Sequence, residues 1–424
     1  MRDLDDGEER ALAFVDAREL VQDLSELVAI PSVSGEDAES DVLHLLAKRM
    51  RSLDLDVDLW PLDLPALTAD PDFPGWEVPR TEAWGLVASA GDTVEDGVPA
   101  LVLQGHVDVV PPGDLSRWEG DPFTPRLVDG RLHGRGTVDM KGGVVAMIAA
   151  VRAVRAAGLR LRRPYALHLA VGEEDGGLGA FATLERGHRG EACVIAEPTS
   201  GTVTTANAGA LTFEIVVAGR ATHASTSYAG VSAFDAYLPV HAALADLQRR
   251  RNARVDALMD EYPVAYPLSV GRVGCGDWAS SVPDRLVAEG RLGVALDEDP
   301  DDARAELEEA VADAARADAW LKEFPPTVAW TGGQFASGRY AGDGGALLDI
   351  VARAHADVTG GPPPRERGAP YGSDLRLYAA AGVPTLHYGP GEVRLAHGPN
   401  EAVAVDELVT VAEALTLTLV RACS

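Results

Sequence analysis

Five carboxylates and two histidines stand where regular backbone gives way to loop: His106, Asp108, Asp139, Glu173, Glu174, Glu197 and His397. Gly105-His106-Val107-Asp108 follows the apolar run Ala100–Gln104 directly. In open α/β sheets, ligands bind beyond the carboxyl ends of strands. Residues two apart on an extended chain point the same way. Asp108 can therefore accept a hydrogen bond from one imidazole nitrogen of His106 and leave the other for a metal. A His-x-Asp pair alone is more often structural, so its position carries the weight.

Asp139 sits in Gly134-Arg135-Gly136-Thr137-Val138-Asp139-Met140-Lys141-Gly142-Gly143, a glycine-rich run opening a helix. The run lacks the spacing of a phosphate-binding loop. A carboxylate at a helix start is favoured by the helix dipole, so a simple cap and a metal ligand are both open readings. Glu173 and Glu174 follow the strand-like Ala166–Gly172 and precede Gly176-Gly177. Adjacent carboxylates there can face different targets, one binding metal while its neighbour handles a proton. Glu197 ends the short run Val194-Ile195-Ala196, and His397 follows the last short strand expected. Asp139, Glu174 and Glu197 together carry charge that roughly offsets two divalent cations and a bridging hydroxide. Nitrogen and oxygen donors without thiolate suit two zinc ions, with cobalt or manganese as substitutes.

The elements that must position these groups are legible in outline. Helices are expected over 17–30, to about 52, 140–157 and 177–186, with strands at 56–59, 100–104, 165–171 and 192–196. Short apolar strands alternating with helices predict an α/β layer with a buried, mainly parallel mixed sheet between helices. Pro61–Arg80, rich in Pro and Asp, reads as a surface loop that could shape a pocket. From about 209 the style changes. Strands at 211–218, 267–273, 286–296 and 326–330, with helices at 232–249 and 301–317, make a separate α+β unit over 209–334. Residues 344–359, 384–388 and 406–421 return to helix, strand and helix. The middle unit is thus expected as an insertion into a discontinuous domain of 1–208 and 335–424.

The chain has 424 residues and a formal net charge of −29, from 66 acidic against 37 basic residues. That balance argues against nucleic acid or an anionic membrane as partner, since both need a positive footprint. There is no apolar run of membrane-spanning length. The acidic start, Met1 to Asp6, lacks an export pattern. Cys193, Cys275 and Cys423 include no CxxC pair, which suggests reduced thiols. The expected location is the cytoplasm.

At these residues the sequence resembles the dinuclear zinc family of acetylornithine deacetylase, succinyl-diaminopimelate desuccinylase, aminoacylase and glutamate carboxypeptidase. The likeness runs from Ile30-Pro31-Ser32-Val33-Ser34-Gly35 to the His397 segment. Its most specific stretch is His106-Val107-Asp108-Val109-Val110-Pro111, through Trp118 and Asp121-Pro122-Phe123, to Asp139-Met140-Lys141-Gly142-Gly143. The resemblance implies that His106, Asp139 and Glu197 hold one metal and Asp139, Glu174 and His397 the other, Asp139 bridging. Glu173 would be the general base and Asp108 would orient His106. It implies that the inserted unit is a lid that also makes a homodimer. His223, in Gly219-Arg220-Ala221-Thr222-His223-Ala224-Ser225, would polarise the substrate carbonyl, often in the partner's site. Arg376, in Tyr371-Gly372-Ser373-Asp374-Leu375-Arg376, would pair with a substrate α-carboxylate, as a bidentate guanidinium can. An ordinary helix-surface arginine is the bland alternative.

The implied activity is hydrolysis of the amide of a small N-acylated amino acid. A dipeptidase or carboxypeptidase on short peptides is the alternative. Ser280-Ser281-Val282-Pro283, with Gly293 downstream, lacks the asparagine and arginine of desuccinylases, which counts against strict desuccinylase specificity. A serine-hydrolase elbow and a His-Glu-x-x-His zinc helix are both missing from the sequence. An inactive binding homologue would have lost a ligand or the base, and all six positions are intact.

Overall fold

The computed structural model describes residues 4–90, 94–95 and 97–424; Met1, Arg2 and Asp3 of the acidic start lie outside the described residues. The chain divides into two compact units. One comprises Met1–Thr205, Arg339–Arg367 and Ser373–Ser424, the other Ala206–Gly338 and Gly368–Gly372.

Among the described residues the first unit is built on a nine-stranded sheet. Its order is Asp56–Pro61, Trp84–Ser89, Tyr165–Ala170, Leu101–His106, Cys193–Pro198, Thr385–Gly389 and Val203–Asn207, with two short strands at the far end. The four central strands, Tyr165–Ala170, Leu101–His106, Cys193–Pro198 and Thr385–Gly389, are mutually parallel. Their neighbours on each side are antiparallel. Tyr165–Ala170, Leu101–His106 and Cys193–Pro198 are buried at every residue, the pattern of strands covered on both faces.

Helix Lys141–Ala156 is buried at thirteen of its sixteen residues, so it is a central layer rather than an amphipathic cover. Its close approach depends on Gly143, where a Cβ would lie 2.0 Å from the Ala196 carbonyl oxygen. The C-terminal helix Val405–Cys423 and helix Ala17–Val28 pack against it.

Several elements differ from the sequence reading. Trp84–Ser89 is a strand the reading passed over, paired with Asp56–Pro61 and Tyr165–Ala170. The Pro61–Arg80 segment holds a short helix, Leu64–Ala69, because Asp63 accepts the Ala66 amide and Pro65 fits a first turn. A strand also follows His397: Ala402–Ala404 pairs with Arg131–His133, which pairs with Arg126–Val128.

The second unit is an antiparallel four-stranded sheet in the order Leu268–Cys275, Arg285–Val294, Gly209–Ala218 and Thr327–Phe335. In Gly209–Ala218, buried Leu211, Phe213, Ile215 and Val217 alternate with partly exposed residues, so one face is core. Helices Ala233–Arg251 and Pro300–Ala317 supply Val240, Leu244, Leu247, Leu307 and Val311 to that core. The short segment Gly368–Gly372, not anticipated, belongs here because Ala208 donates to the Ala369 carbonyl at 2.8 Å and Tyr262 to that of Gly368 at 3.0 Å.

Candidate metal centre

The four parallel strands end on one edge of the sheet, and each delivers a candidate donor there. His106 is the last residue of its strand, and Glu197 lies next to the end of Cys193–Pro198. Glu173 and Glu174 follow Tyr165–Ala170 within four residues, and the chain after Thr385–Gly389 leads to His397. Asp139 arrives from the side, just before Met140 and helix Lys141–Ala156. A parallel sheet makes distant sequence positions neighbours in this way, because every strand terminates at the same edge.

The distances are short. His106 Nε2 lies 3.2 Å from Asp139 Oδ1 and 3.5 Å from Glu197 Oε1. His397 Nε2 lies 2.9 Å from Glu174 Oε2 and 3.4 Å from Asp139 Oδ2. The two oxygens of Asp139 thus face different histidines. Donor atoms of His106, Asp139 and Glu174 lie within 4.8 Å of one another, as do those of His106, Glu173 and Glu197. On its other side, His106 Nδ1 lies 3.0 Å from the Asp108 carbonyl oxygen and 3.4 Å from Asp108 Oδ1. The carbonyl is therefore the closer acceptor, and the expected side-chain contact is the looser one. A proton on Nδ1 would leave the Nε2 lone pair for a cation. Asp108 Oδ1 and Oδ2 also accept the Glu173 and Glu174 amides at 3.3 and 3.2 Å, so one carboxylate aligns the histidine strand with the Glu-Glu turn.

The electrostatics are those of a site built for added positive charge. Burial drives the carboxyl groups of Glu173, Glu174 and Glu197 above their ordinary range. Burial works the same way on Asp139, but hydrogen bonds from His106 and His397 outweigh it and hold its pKa low. Burial opposes charge on His397 too, yet Asp139 and Glu174 lift it to about 11. Glu174 Oε1 is buried with no hydrogen-bond partner. Clustered buried carboxylates, an orphaned carboxylate oxygen and two imidazoles with a nitrogen facing inward fit divalent cations.

Several supports of this site lay beyond sequence reasoning. The Ile30–Gly35 motif pairs with the chain around Asp108. Ser32 Oγ donates to the Val107 carbonyl at 2.6 Å and Ser34 Oγ to Asp108 Oδ2 at 3.1 Å. Lys141 is fully buried, and its Nζ donates to the Leu27 and Ile30 carbonyls at 2.9 Å, fastening that motif to the Asp139 loop. Glu401 accepts the Val138 and Asp139 amides at 2.8 and 3.2 Å and pairs with Arg135 at 2.6 Å. Arg135 in turn donates to the His397 carbonyl at 3.3 Å, so a buried ion pair holds both ends of the Asp139–His397 contact. Lys141 and Glu401 both lie in motifs visible in the sequence, but no spacing rule gives them these partners.

Arg376 is buried rather than on a helix surface. Its guanidinium donates to the Ser373 carbonyl at 2.8 Å and the Gly176 carbonyl at 2.6 Å. His223 belongs to the second unit, exposed at the start of the turn Ala224–Ala229. Its Nδ1 accepts the Ser225 amide at 3.1 Å, which puts the ring proton on Nε2 and leaves that N–H to donate.

Comparison with known proteins agrees with this geometry. The model of peptidase family M20/M25/M40 matches residues 102–421. The chain is 25% identical to the N-formyl-4-amino-5-aminomethyl-2-methylpyrimidine deformylase of Halalkalibacterium halodurans, covering 98% of this chain and 97% of that one. It is 30% identical to the succinyl-diaminopimelate desuccinylase of Stenotrophomonas maltophilia, over 90% and 93% of the two chains. A di-peptidase from Saccharomyces cerevisiae shares the fold at a TM-score of 0.77 and 15% identity, over 98% of each chain. With a family match spanning most of its length and a metal-suited carboxylate–histidine cluster inside the matched region, the chain belongs to peptidase family M20/M25/M40 and is a hydrolase acting on amide bonds.

Proposed function

We propose that the protein hydrolyses the amide of a small N-acylated amino acid with two zinc ions per chain. His106, Asp139 and Glu197 would hold one ion, and Asp139, Glu174 and His397 the other. The observation that carries this reading is the split of the Asp139 carboxylate, one oxygen at 3.2 Å from His106 and the other at 3.4 Å from His397. A carboxylate serving one cation has no need to offer separate oxygens to separate imidazoles. When bound, the ions lower the pKa of water and polarise the scissile carbonyl.

The chain's own groups do the rest. Glu173, buried beside His106 and Glu197, takes the proton from water and returns it to the leaving nitrogen, a contribution of about 10²–10⁴-fold. His223, with its proton on Nε2, is suited to donate to the carbonyl oxygen as negative charge develops. Asp108 keeps the His106 strand and the Glu173–Glu174 turn in register. Arg376 is assigned to the architecture of the site rather than to a substrate carboxylate, since its guanidinium donates to the Ser373 and Gly176 carbonyls.

A homodimer through the second unit completes the reading. Strand Leu268–Cys275 is a sheet edge, exposed from Arg272 to Cys275, and Phe234, Leu238, Val273 and Trp278 of that unit are exposed apolar side chains. The deformylase and desuccinylase relatives favour an acyl group on a small amine, whereas the di-peptidase shares only the fold.

The test is a panel of N-acetylornithine, N-succinyl-diaminopimelate, other N-acyl amino acids and dipeptides, ranked by kcat/KM with zinc content measured on the same protein. An N-acyl amino acid at the top, with up to two zincs per chain, is expected. Dipeptides ranking well above every N-acyl substrate would replace deacylase with dipeptidase, and protein that takes up no divalent metal would end the proposal.

A further inference from the structure

The Pro61–Arg80 segment ends in a side chain with an unusual environment. Arg80 is buried, and all five of its N–H donors are used. Nε and Nη2 donate to the Glu39 carboxylate at 2.8 and 2.9 Å. Nη1 and Nη2 donate to the Asp175 carboxylate at 2.9 and 3.0 Å, and Nη1 also to the Val78 carbonyl at 3.1 Å. The three side chains are 1%, 3% and 5% exposed. Two buried carboxylates converge on a single guanidinium, a costly arrangement for stability alone.

Its location suggests what it does. Asp175 directly follows Glu173 and Glu174. Its carboxylate accepts the Val78 amide at 3.0 Å, and Glu39 accepts that of Gly35 at 2.9 Å. The segment's backbone is pressed against the same turn: a Cβ on Gly176 would lie 2.0 Å from the Gly75 carbonyl oxygen. Gly176 is also at φ +159, and its carbonyl is held by Arg376. The turn Glu173–Gly177 is therefore gripped from several sides, by Asp108 at its amides, by Arg376 at Gly176, and by Arg80 at Asp175.

We propose that Arg80 is a positioning residue for the Glu173–Glu174 pair, acting through Asp175, and that the Pro61–Arg80 segment is a brace behind the site rather than a wall of the substrate pocket. The proposal rests on the dinuclear reading above. A planar fork that binds two carboxylates at once cannot be replaced by the point charge of lysine. Without it, Asp175 is free to turn, and the two glutamates lose the fixed backbone that aims one at water and the other at a cation.

The experiment compares wild type, Arg80→Lys and Asp175→Asn, with Arg421→Lys as the control for the same change at a partly buried pair elsewhere in this unit. Three readouts are taken: amide hydrogen exchange over 172–178 without metal, zinc affinity by chelator competition, and kcat and KM separately. Arg80→Lys is expected to speed exchange in that segment about tenfold, weaken zinc about 10–100-fold and lower kcat by at least about tenfold with KM little changed. Arg421→Lys should match wild type in all three. Asp175→Asn should follow Arg80→Lys, and it decides the matter if Arg80→Lys does not fold. Either variant melting earlier but keeping wild-type exchange, zinc affinity and kcat would reduce Arg80 to a structural ion pair and overturn the proposal. Wild type that neither binds zinc nor cleaves an amide would bring down the dinuclear reading instead. In that case the exchange measurement still reports separately whether Arg80 anchors the turn.

Discussion

Asp139 presents its Oδ1 to His106 at 3.2 Å and its Oδ2 to His397 at 3.4 Å, joining two histidines 291 positions apart in sequence through one carboxylate. Glu401 fixes this geometry by accepting the Asp139 amide, so the bridging side chain starts from an anchored backbone.

If that carboxylate serves both cations, Asp139→Asn will lose more metal than any other single change. Zinc content should fall below one per chain, whereas Glu197→Gln should weaken one ion and leave the other near full occupancy. Equal losses in the two variants, read by metal analysis after dialysis, would mean that Asp139 serves a single ion.

In the proposed mechanism Glu173 would act on protons rather than on the cations. Glu173→Ala is expected to keep zinc at the wild-type level while turnover falls about 10²–10⁴-fold. Turnover at the wild-type rate would reject the base assignment, and lost zinc would make Glu173 a ligand, as its closeness to His106 and Glu197 permits.

Arg376 separates recognition from architecture. Because it donates to Ser373 and Gly176, Arg376→Met should cost about 1.5–3 kcal/mol in unfolding free energy, the scale of a lost hydrogen bond to a charged group. KM should move equally for a substrate with a free α-carboxylate and for its amide-capped counterpart. A KM rise confined to the free carboxylate would restore the substrate-binding role.

His223 tests the dimer. Mixing His223→Ala and Glu173→Ala chains should recover about a quarter of wild-type activity, the share of intact sites when chains pair at random and His223 acts across the interface. Mixtures no more active than the separate variants would confine His223 to its own chain.

His168 predicts an acid limb in stability. It is fully buried, donating to or accepting from Tyr378 Oη at 2.8 Å, and burial pushes its pKa down to about 3. The folded value lies below the unfolded one near 6.5, so its contribution is complete above pH 6.5 and is lost as pH falls toward 3. Between pH 7.5 and 5 the wild type should lose about 2 kcal/mol more than His168→Gln, measured by denaturant unfolding. Parallel slopes for the two proteins would show that His168 is not held neutral.

The donors were legible because each occupies a strand end or helix start, and strand ends follow from apolar runs. His106, Glu173, Glu174 and Glu197 could be found this way. What could not be read is which distant backbone groups those positions meet. Arg80 lies at the end of a Pro- and Asp-rich stretch with no periodicity, so nothing local marks it as buried. Trp84–Ser89 was missed because one short apolar run next to such a stretch gives little evidence of strand. That the Arg376 guanidinium meets the Ser373 and Gly176 carbonyls could not be read either, because its helix, Leu375–Ala380, is too short to show a buried face. Gly368–Gly372 joined the second unit through one backbone bond and one tyrosine hydroxyl bonded to a backbone carbonyl, neither of which leaves a trace in the hydrophobic pattern.

The proposed ligands are spread from residue 106 to residue 397 and meet only where four parallel strands end together. A nascent chain therefore cannot assemble the proposed pair of ion sites until residue 397 has left the ribosome. The second zinc would then wait for the His397 segment, and chains truncated before His397 should be made, fold in part and remain unable to retain that ion.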